Sequence, residues 1–327
     1  MDDAPPEFAA LCTSPAFDAT VPLPALAQPD AVPAAPGPRG APGGKGLNVA
    51  RWLARRGRSV ALGGLLGAAD AAPFEAEMRD RGVRDAMLRV PGPVRRNVCF
   101  VAPDGTRKAN APAFPRLSSR DWSAEALLAA LAPPGAPPPR AVALTGSLPA
   151  AMPRDLYATL ARRLAARGVA VALDAAGEAL RLGLEAGPCI VKPNREEAEG
   201  LLGFAFDGPA AFGRALRALL GSAPVVALSD GAAGCWFAAR GEGPSAPFVR
   251  FVPSPRVDAV DPTGAGDALL AEFLHRRFAS GAPAPAPETP PTEEAMRFAV
   301  AAGAAAATTR GALPPDPALV DRLARVI

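Results

Sequence analysis

The sequence predicts an α/β chain with a doubly wound, mostly parallel sheet flanked by helices and a small β lid. Three observations carry that expectation. From residue 141 onward short β-branched or apolar runs alternate with helical patterns, the order that lays strands side by side in parallel. Polar residues fall at the ends of those strands, where an open parallel sheet binds its ligands. One stretch, NVCFVAPDGTRKANAP, breaks the alternation with Asp104-Gly105 between two strand-like arms, a strong hairpin signal.

In chain order, GGKGLNVARWLARRG (43–57) reads as a helix closed by Gly57, and SVALGGLLG (59–67) as the strand after it. AVALT (141–145) precedes a helix around 153–167, and AVALD (170–174) precedes one at 177–185. CIVK (189–192) precedes a helix at 194–202, and VVALS (225–229) precedes a glycine-rich turn. The hairpin and the Pro- and Ala-rich segment from Val21 to Pro42 form the lid. These readings divide the chain into an α/β core of residues 1–20, 43–88 and 117–327 and a β lid of residues 21–42 and 89–116. PPGAPPP (133–139) and GAPAPAPETPP (281–291) read as extended surface loops, and no internal repeat is visible.

At 327 residues the chain is long enough to bury a full core. Its 35 basic and 32 acidic residues are spread along the sequence, leaving a net charge of +3 and no basic face for nucleic acid or an anionic membrane. The first residues, MDDAPPEFAALCTSPAFD, lack the charged and apolar regions of a signal peptide, and no segment has 18 uninterrupted apolar residues. Cys12, Cys99, Cys189 and Cys235 are far apart without a CxxC pair, and three sit in apolar runs. Free buried thiols and a cytoplasmic location are therefore expected. His275 is the only histidine and lies in a helical run beside two arginines, which excludes a histidine-rich zinc site and leaves no second histidine for a base.

The chemistry is concentrated in DPTGAGD (261–267), followed at once by the helical run ALLAEFLHRRF. Small residues at a helix N-terminus leave backbone N–H groups open to a bulky anion, so Gly264, Ala265 and Gly266 form an anion hole. An Asp next to such a hole repels a phosphate, so capping is a weak reason for Asp267. A general base taking a proton from a hydroxyl accounts for it better. The plain alternative is a capping Asp in a glycine turn. Commoner fingerprints fail. GGKG (43–46) has Gly46 where a P-loop needs Ser or Thr and Arg39 where it needs glycine, and GGLLG (63–67) has Leu62 in place of the first glycine of GxGxxG.

With these residues in view, the chain resembles the ribokinase-like (PfkB) carbohydrate kinases along nearly its whole length. DPTGAGD resembles the family's C-terminal signature and GGKGLNVARWLARRG its N-terminal one. LTGSLP (144–149), LDAAGEAL (173–180), VKPNREEAE (191–199) and LSDGAAG (228–234) follow in the family's order. LDAAGEAL and VKPNREE resemble the hexose-phosphate branch, which contains 1-phosphofructokinase, tagatose-6-phosphate kinase and a minor type of 6-phosphofructokinase.

The resemblance implies a ribokinase-like fold and ATP-dependent phosphorylation of a ketohexose phosphate, with Mg²⁺. Asp267 would be the base, and Gly264, Ala265 and Gly266 the hole for the transferred phosphoryl group. Asn194 and Glu197 would organise Mg²⁺ through its waters. Asp174 and Lys192 would face the nucleotide phosphates and metal, while Ser229, Gly231 and Gly234 would line the nucleotide pocket. Asp18, Gly44, Lys45, Asn48 and Asn110 would hold the sugar. Arg95 or Arg96, with Lys45 and Lys108, would clamp the phosphate already on it. The partners implied are a sugar phosphate and ATP, with a homodimer through the lid.

Ser14, Asp230 and Pro262 depart from the family's usual wording, and Glu272, one turn after Asp267, sets a second carboxylate near the base that is expected to raise its pKa or narrow the site. Fructose 1-phosphate is the first choice of acceptor, ahead of tagatose 6-phosphate and fructose 6-phosphate. A kinase of an unphosphorylated sugar or nucleoside is the runner-up. A sugar- or nucleotide-binding regulator with weak turnover is the alternative from another class.

Overall fold

The computed structural model describes residues 5–22, 39–102, 105–110, 114, 117–240, 247–278 and 289–327. Its main sheet has nine strands. Five are β1 (Phe8–Cys12), β4 (Val60–Gly67), β5 (Val83–Val90), β8 (Ala141–Thr145) and β9 (Ala170–Asp174). The others are β10 (Ile190–Val191), β11 (Val225–Ser229), β12 (Gly234–Ala239) and β13 (Phe248–Pro253). A second sheet holds β2 (Ala16–Pro22), β3 (Arg39–Gly43), β6 (Arg95–Ala102) and β7 (Gly105–Asn110). The helices are α1 (Lys45–Arg55), α2 (Ala71–Asp80), α3 (Ala124–Leu131), α4 (Leu156–Ala165) and α5 (Gly177–Leu184). They continue with α6 (Arg195–Leu202), α7 (Pro209–Leu220), α8 (Ala265–Arg277), α9 (Glu293–Ala306) and α10 (Pro317–Ala324).

The main sheet runs β13-β12-β11-β10-β9-β8-β1-β4-β5. From β5 to β11 every neighbouring pair is parallel, and only the edge strands β12 and β13 are antiparallel. Parallel strands are covered on both faces and read as unbroken apolar runs. Accordingly β1, β4 and β8 are buried at every residue. The chain builds outward from β1 to β4 and β5, then crosses to β8 and builds the other way. The loops after β1 and β8 therefore diverge, which is where doubly wound sheets open a crevice.

The hairpin expected around Asp104-Gly105 is β6 and β7, paired antiparallel, with residues 103–104 outside the described residues. The expected boundaries at residues 20 and 88 each fall inside a strand. Ala16–Thr20 pair within the small sheet through β2, and Arg89–Val90 pair within the large one through β5. Of the segment expected to accompany the hairpin, residues 23–38 lie outside the described residues, and β3 leads straight into α1. The helix expected from 153 begins at Leu156, because Pro153 opens a turn whose carbonyl accepts from the Leu156 N–H at 3.2 Å.

Helices α1 and α8 lie side by side and run in the same direction. Asn48, in the first turn of α1, meets Asp267 in the first turn of α8, and Trp52 one turn later meets Glu272. Both N-termini thus open on the same edge of the sheet.

Leu11 lies in β1, paired on one side with Gly63 and on the other with Leu144, and is fully buried. Leu11→Ala should cost about 3 kcal/mol of stability by urea denaturation, the range for a truncated core leucine. A loss below about 1 kcal/mol would contradict the central place of this strand.

Candidate active site

A cavity of about 1010 Å³ runs along the carboxyl ends of the strands, from the small sheet to the turn joining β11 and β12. Asp174 ends β9, Lys192 and Asn194 follow β10, and Ser229 ends β11; all four line it. The strand ends converge here as the sequence pattern requires. Gly44, Lys45 and Asn48 of the α1 start, Gly264 to Asp267 of the α8 start, and Gly231 and Gly234 also line the cavity. From the small sheet come Asp18, Arg95 and Asn97.

Two glycines open the helices. Gly44, at φ 126°, and Gly264, at φ 83°, are the N-caps of α1 and α8, and neither helix has a side chain capping its first turn. Such backbone angles favour glycine. A Cβ at either site would also collide, lying 2.8 Å from Cys12 Sγ at Gly44 and 2.8 Å from Ala312 Cβ at Gly264. The uncapped first turns leave N–H groups facing the cavity at the positive ends of two helix dipoles. Three of these N–H groups are taken up within the protein: Ala265 donates to the Pro262 carbonyl at 3.1 Å, and Gly46 and Leu47 of α1 donate to the buried Cys12 sulfur, so the open N–H groups are chiefly those of α8.

Asp174 is buried between two lysines, 3.0 Å from Lys45 Nζ and 3.2 Å from Lys192 Nζ. Burial pushes its pKa up, but Lys192 and Lys45 overcome that and hold the carboxyl below the usual range. Burial likewise works against a charged Lys45, and Asp174, Asp267 and Glu197 reverse it. Asp267 differs. Burial pushes its pKa up to about 6, Lys45 pulls it down, and Asp174 pushes it up again. The Asn48 amide donates to Asp267 Oδ2 at 2.8 Å and also holds the value down. Arg51 Nη1 donates to Asn48 Oδ1 at 3.3 Å, which turns the amide hydrogens toward the aspartate. Lys192 completes the group: a Cβ on Gly266 would lie 3.3 Å from its Nζ.

At the small sheet, Asn97 Nδ2 donates to Asp18 Oδ1 at 2.7 Å. The Nε of Arg95 is buried with no hydrogen-bond partner among the described residues. Arg96 does not line the cavity. Its guanidinium pairs with Asp70 at 3.0 Å and lies 4.4 Å over the Phe17 ring. Alternation explains the split, since successive strand residues face opposite sides and Asn97 shares the side of Arg95. Lys108 and Asn110 belong to β7, but their side chains lie outside the described residues.

Glu197 stands beside the cavity without lining it. It forms a capping box with Asn194 at the start of α6, and its Oε1 lies 4.0 Å from Lys45 Nζ. Glu272 is not beside the base; it accepts from Trp52, Arg56 and Arg276 on the far side of the α1–α8 contact. Asp230 faces Arg195 at 3.6 Å, outside the main cavity. His275 is half-buried, and its Nδ1 accepts from Arg58 Nε at 2.9 Å. Burial and the arginines around it hold its pKa down to about 3.

The sequence reading missed several parts of the wall. Asn97 was detectable by the same alternation that picks Arg95. The stretch Ser254 to Ala259, and Val300, Gly303, Ala304 and Ala307, complete the cavity from the loop before α8 and from the end of α9. Small apolar residues carry no chemical signal, so nothing in the sequence marks the latter group.

The family model described as pfkB family carbohydrate kinase matches residues 16–319. The chain is 39% identical over 263 residues to a 1-phosphofructokinase of Rhodobacter capsulatus, covering 80% of each. It is 37% identical over 265 residues to a 1-phosphofructokinase of Xanthomonas campestris, covering 79% of this chain and 80% of that one. Among solved structures, phosphofructokinase-2 from Escherichia coli in complex with potassium is similar with a TM-score of 0.83. That match covers 98% of this chain and 99% of the other at 22% identity. A ribokinase from Thermotoga maritima gives 0.73 at 21% identity, again over 98% and 99%.

Removing the carboxylate of Asp174 leaves Lys192, almost fully buried, without its partner. Asp174→Asn should therefore lose about 3 kcal/mol at neutral pH, the scale for breaking a buried pair. Because the folded pKa is depressed, the wild-type increment is present above the unfolded value and lost as pH falls through the folded one. Denaturation at pH 7 and at acid pH checks both. Equal stability of the two proteins at pH 7 would contradict the pairing.

Proposed function

Because the chain belongs to the pfkB family of carbohydrate kinases, we propose that it transfers the γ-phosphoryl group of ATP to the free primary hydroxyl of a ketohexose phosphate. Fructose 1-phosphate is the first choice of acceptor, with tagatose 6-phosphate and fructose 6-phosphate next. The observation that carries the reading is Asp267. It is a buried carboxylate with a raised pKa, held by Asn48 at the open N-terminus of α8 and close to two lysines.

In this reading Asn48 occupies Asp267 Oδ2 and leaves Oδ1 to take the proton of the acceptor hydroxyl. The N–H groups of Gly266 and Asp267, with Lys192 beside them, bind oxygens of the phosphoryl group as charge develops. Lys45 stands across from Asp267 and draws it toward the ionised, basic form. Catalysis is positioning and electrostatics, as for phosphoryl transfer generally. In fructose 1-phosphate the acceptor hydroxyl lies at the opposite end of the sugar from its phosphate. Arg95 in the small sheet and Asp267 at α8 are likewise on different elements. The unpartnered Nε of Arg95 supports a phosphate clamp there, and Asp18 with Asn97 meets sugar hydroxyls. The small sheet then acts as a lid that keeps water from the phosphoryl group.

The Asn194 and Glu197 side chains offer oxygen donors at the start of α6, beside the cavity, the donor type that Mg²⁺ takes. Asn194 and Glu197 would hold Mg²⁺ through its waters, and when bound it supplies positive charge to the nucleotide phosphates.

Asp267→Asn preserves shape but not basicity, so kcat should fall by about 10²-fold or more, the usual scale for a general base. Only the ionised carboxylate accepts the proton, so wild-type kcat/KM should fall as pH drops below about 6. Near wild-type turnover by Asp267→Asn would remove Asp267 from the mechanism. Arg95→Ala removes a charge-assisted contact of about 1.5–3 kcal/mol, so kcat/KM for fructose 1-phosphate should drop roughly 10- to 150-fold. The KM for ATP should hardly change, and Arg96→Ala should leave the preference for the phosphorylated sugar intact. If free fructose or a nucleoside turns over as well as any sugar phosphate, the runner-up kinase replaces this reading.

A further inference from the structure

We propose that Glu272 is a positioning residue whose clamp on Trp52 and Arg56 fixes the register of α1 against α8 and so places Asn48 and Lys45 against Asp267. Asn48, Trp52 and Arg56 are spaced four residues apart, so they form one stripe along α1 and its C-terminal cap, Arg56. That stripe meets α8 at two levels. At the cavity, Asn48 holds Asp267 at 2.8 Å. Deeper along the pair, Glu272 Oε2 accepts from Trp52 Nε1 at 2.9 Å and from Arg56 Nε at 2.8 Å.

The lower level is tied down from several sides. Glu272 Oε1 accepts from Arg276 Nε at 2.9 Å, and Arg276 reaches Glu294 of α9 at 2.7 Å. Arg56 also reaches Asp321 of α10 at 3.0 Å. Glu272 is completely buried, as is Trp52. A buried ion pair is a weak stabiliser compared with apolar residues of the same volume, and its best attested use is to specify register. Helices are stiff, with a rise of about 1.5 Å per residue. A slip of a single residue at the Glu272 level would therefore carry Asn48 and Lys45 out of reach of Asp267, and misplacement of about 1 Å can cost as much as 10²-fold in rate.

The groups facing Asp267 are Lys45 and Asn48 of α1, Asp174 at the end of β9, and Lys192 after β10. Those facing Glu272 are Trp52 of α1, Arg56 at its C-terminal cap and Arg276 of α8. The two sets share no member, so no side chain touches both carboxylates, and apart from their common helix and the through-space effect of its charge Glu272 acts on the base by way of α1.

The inference rests on Asp267 as the base, and the test separates the two. Steady-state kinetics across pH, with melting temperature, would be measured for wild type, Glu272→Gln and Trp52→Phe. With the clamp weakened, kcat for the sugar phosphate should fall about 10-fold, with KM for ATP within about twofold. The acid limb should move to higher pH by about half a unit, because the Asn48 hydrogen bond that holds the pKa of Asp267 down is loosened. Trp52→Phe removes one hydrogen bond of the clamp and should shift both quantities in the same direction by less. It also decides the matter if Glu272→Gln does not fold. A lower melting temperature with unchanged kcat and acid limb would overturn the inference, leaving Glu272 a structural residue. A shift of the limb to lower pH would also overturn it, because that is the effect of deleting a negative charge without moving α1. If wild type itself shows no acid limb, the base reading fails and the inference falls with it.

Discussion

Two helices begin on uncapped glycines at one cavity, and the hydrogen bond from Asn48 to Asp267 joins their first turns. Most of the site follows from that contact. The parallel course of α1 and α8 brings two positive helix ends together, a place that favours phosphate and disfavours lysine. Lys45 and Lys192 are nonetheless present, because Asp174 lies between them and neutralises part of their charge. Asp267 completes a group of two lysines and two carboxylates. Burial leaves it the less acidic of the two carboxylates, while Asp174, paired with both lysines, stays firmly ionised. The same burial thus leaves one carboxylate paired and acidic and the other poised as the base in the proposed mechanism.

The sheet explains why these groups meet. Each of Asp174, Lys192 and Ser229 stands at or just after the carboxyl end of a neighbouring parallel strand, so their positions are set by the hydrogen-bond register of the sheet. The main sheet supplies Asp174, Lys192, Asn194 and Ser229 to the cavity, and the small sheet brings Asp18, Arg95 and Asn97 from a separate piece of chain. The chain shares the fold of a phosphofructokinase-2 and a ribokinase, and the division proposed above gives the small sheet to the acceptor and the main sheet to the transfer.

Much of this was legible in the sequence, for identifiable reasons. Strands β8, β9 and β11 are apolar runs each ending on a polar residue, so both the parallel sheet and its ligand edge could be read. Glycines at a helix start next to a lone Asp pointed to the start of α8, and Gly264 to Asp267 do line the cavity there. Strand β1 escaped notice because FAALC is followed by another strand and not by a helical pattern, so it lacks the alternation that marks β8 and β9. Glu272 was misplaced because it meets α1 at a deeper level than Asp267, where its carboxylate turns to Trp52 and Arg56 and not to the base. Its environment is set by Trp52 and Arg56, more than 200 residues away, and no local pattern encodes that meeting. The walls from α9 and residues 254–259 were missed for a related reason, since tertiary contact alone brings them to the cavity.

The central claim is that the open α8 N-terminus, Lys192 and Asp267 together form the phosphoryl-transfer centre. A crystal structure with ADP, Mg²⁺, fructose 1-phosphate and tetrafluoroaluminate tests it most directly, because that anion imitates the phosphoryl group in flight. The account requires the anion to lie against the Gly266 and Asp267 N–H groups and Lys192, with Asp267 Oδ1 on the acceptor hydroxyl and the sugar's own phosphate at Arg95. An anion bound away from the α8 start, or an acceptor hydroxyl facing a residue other than Asp267, would contradict it.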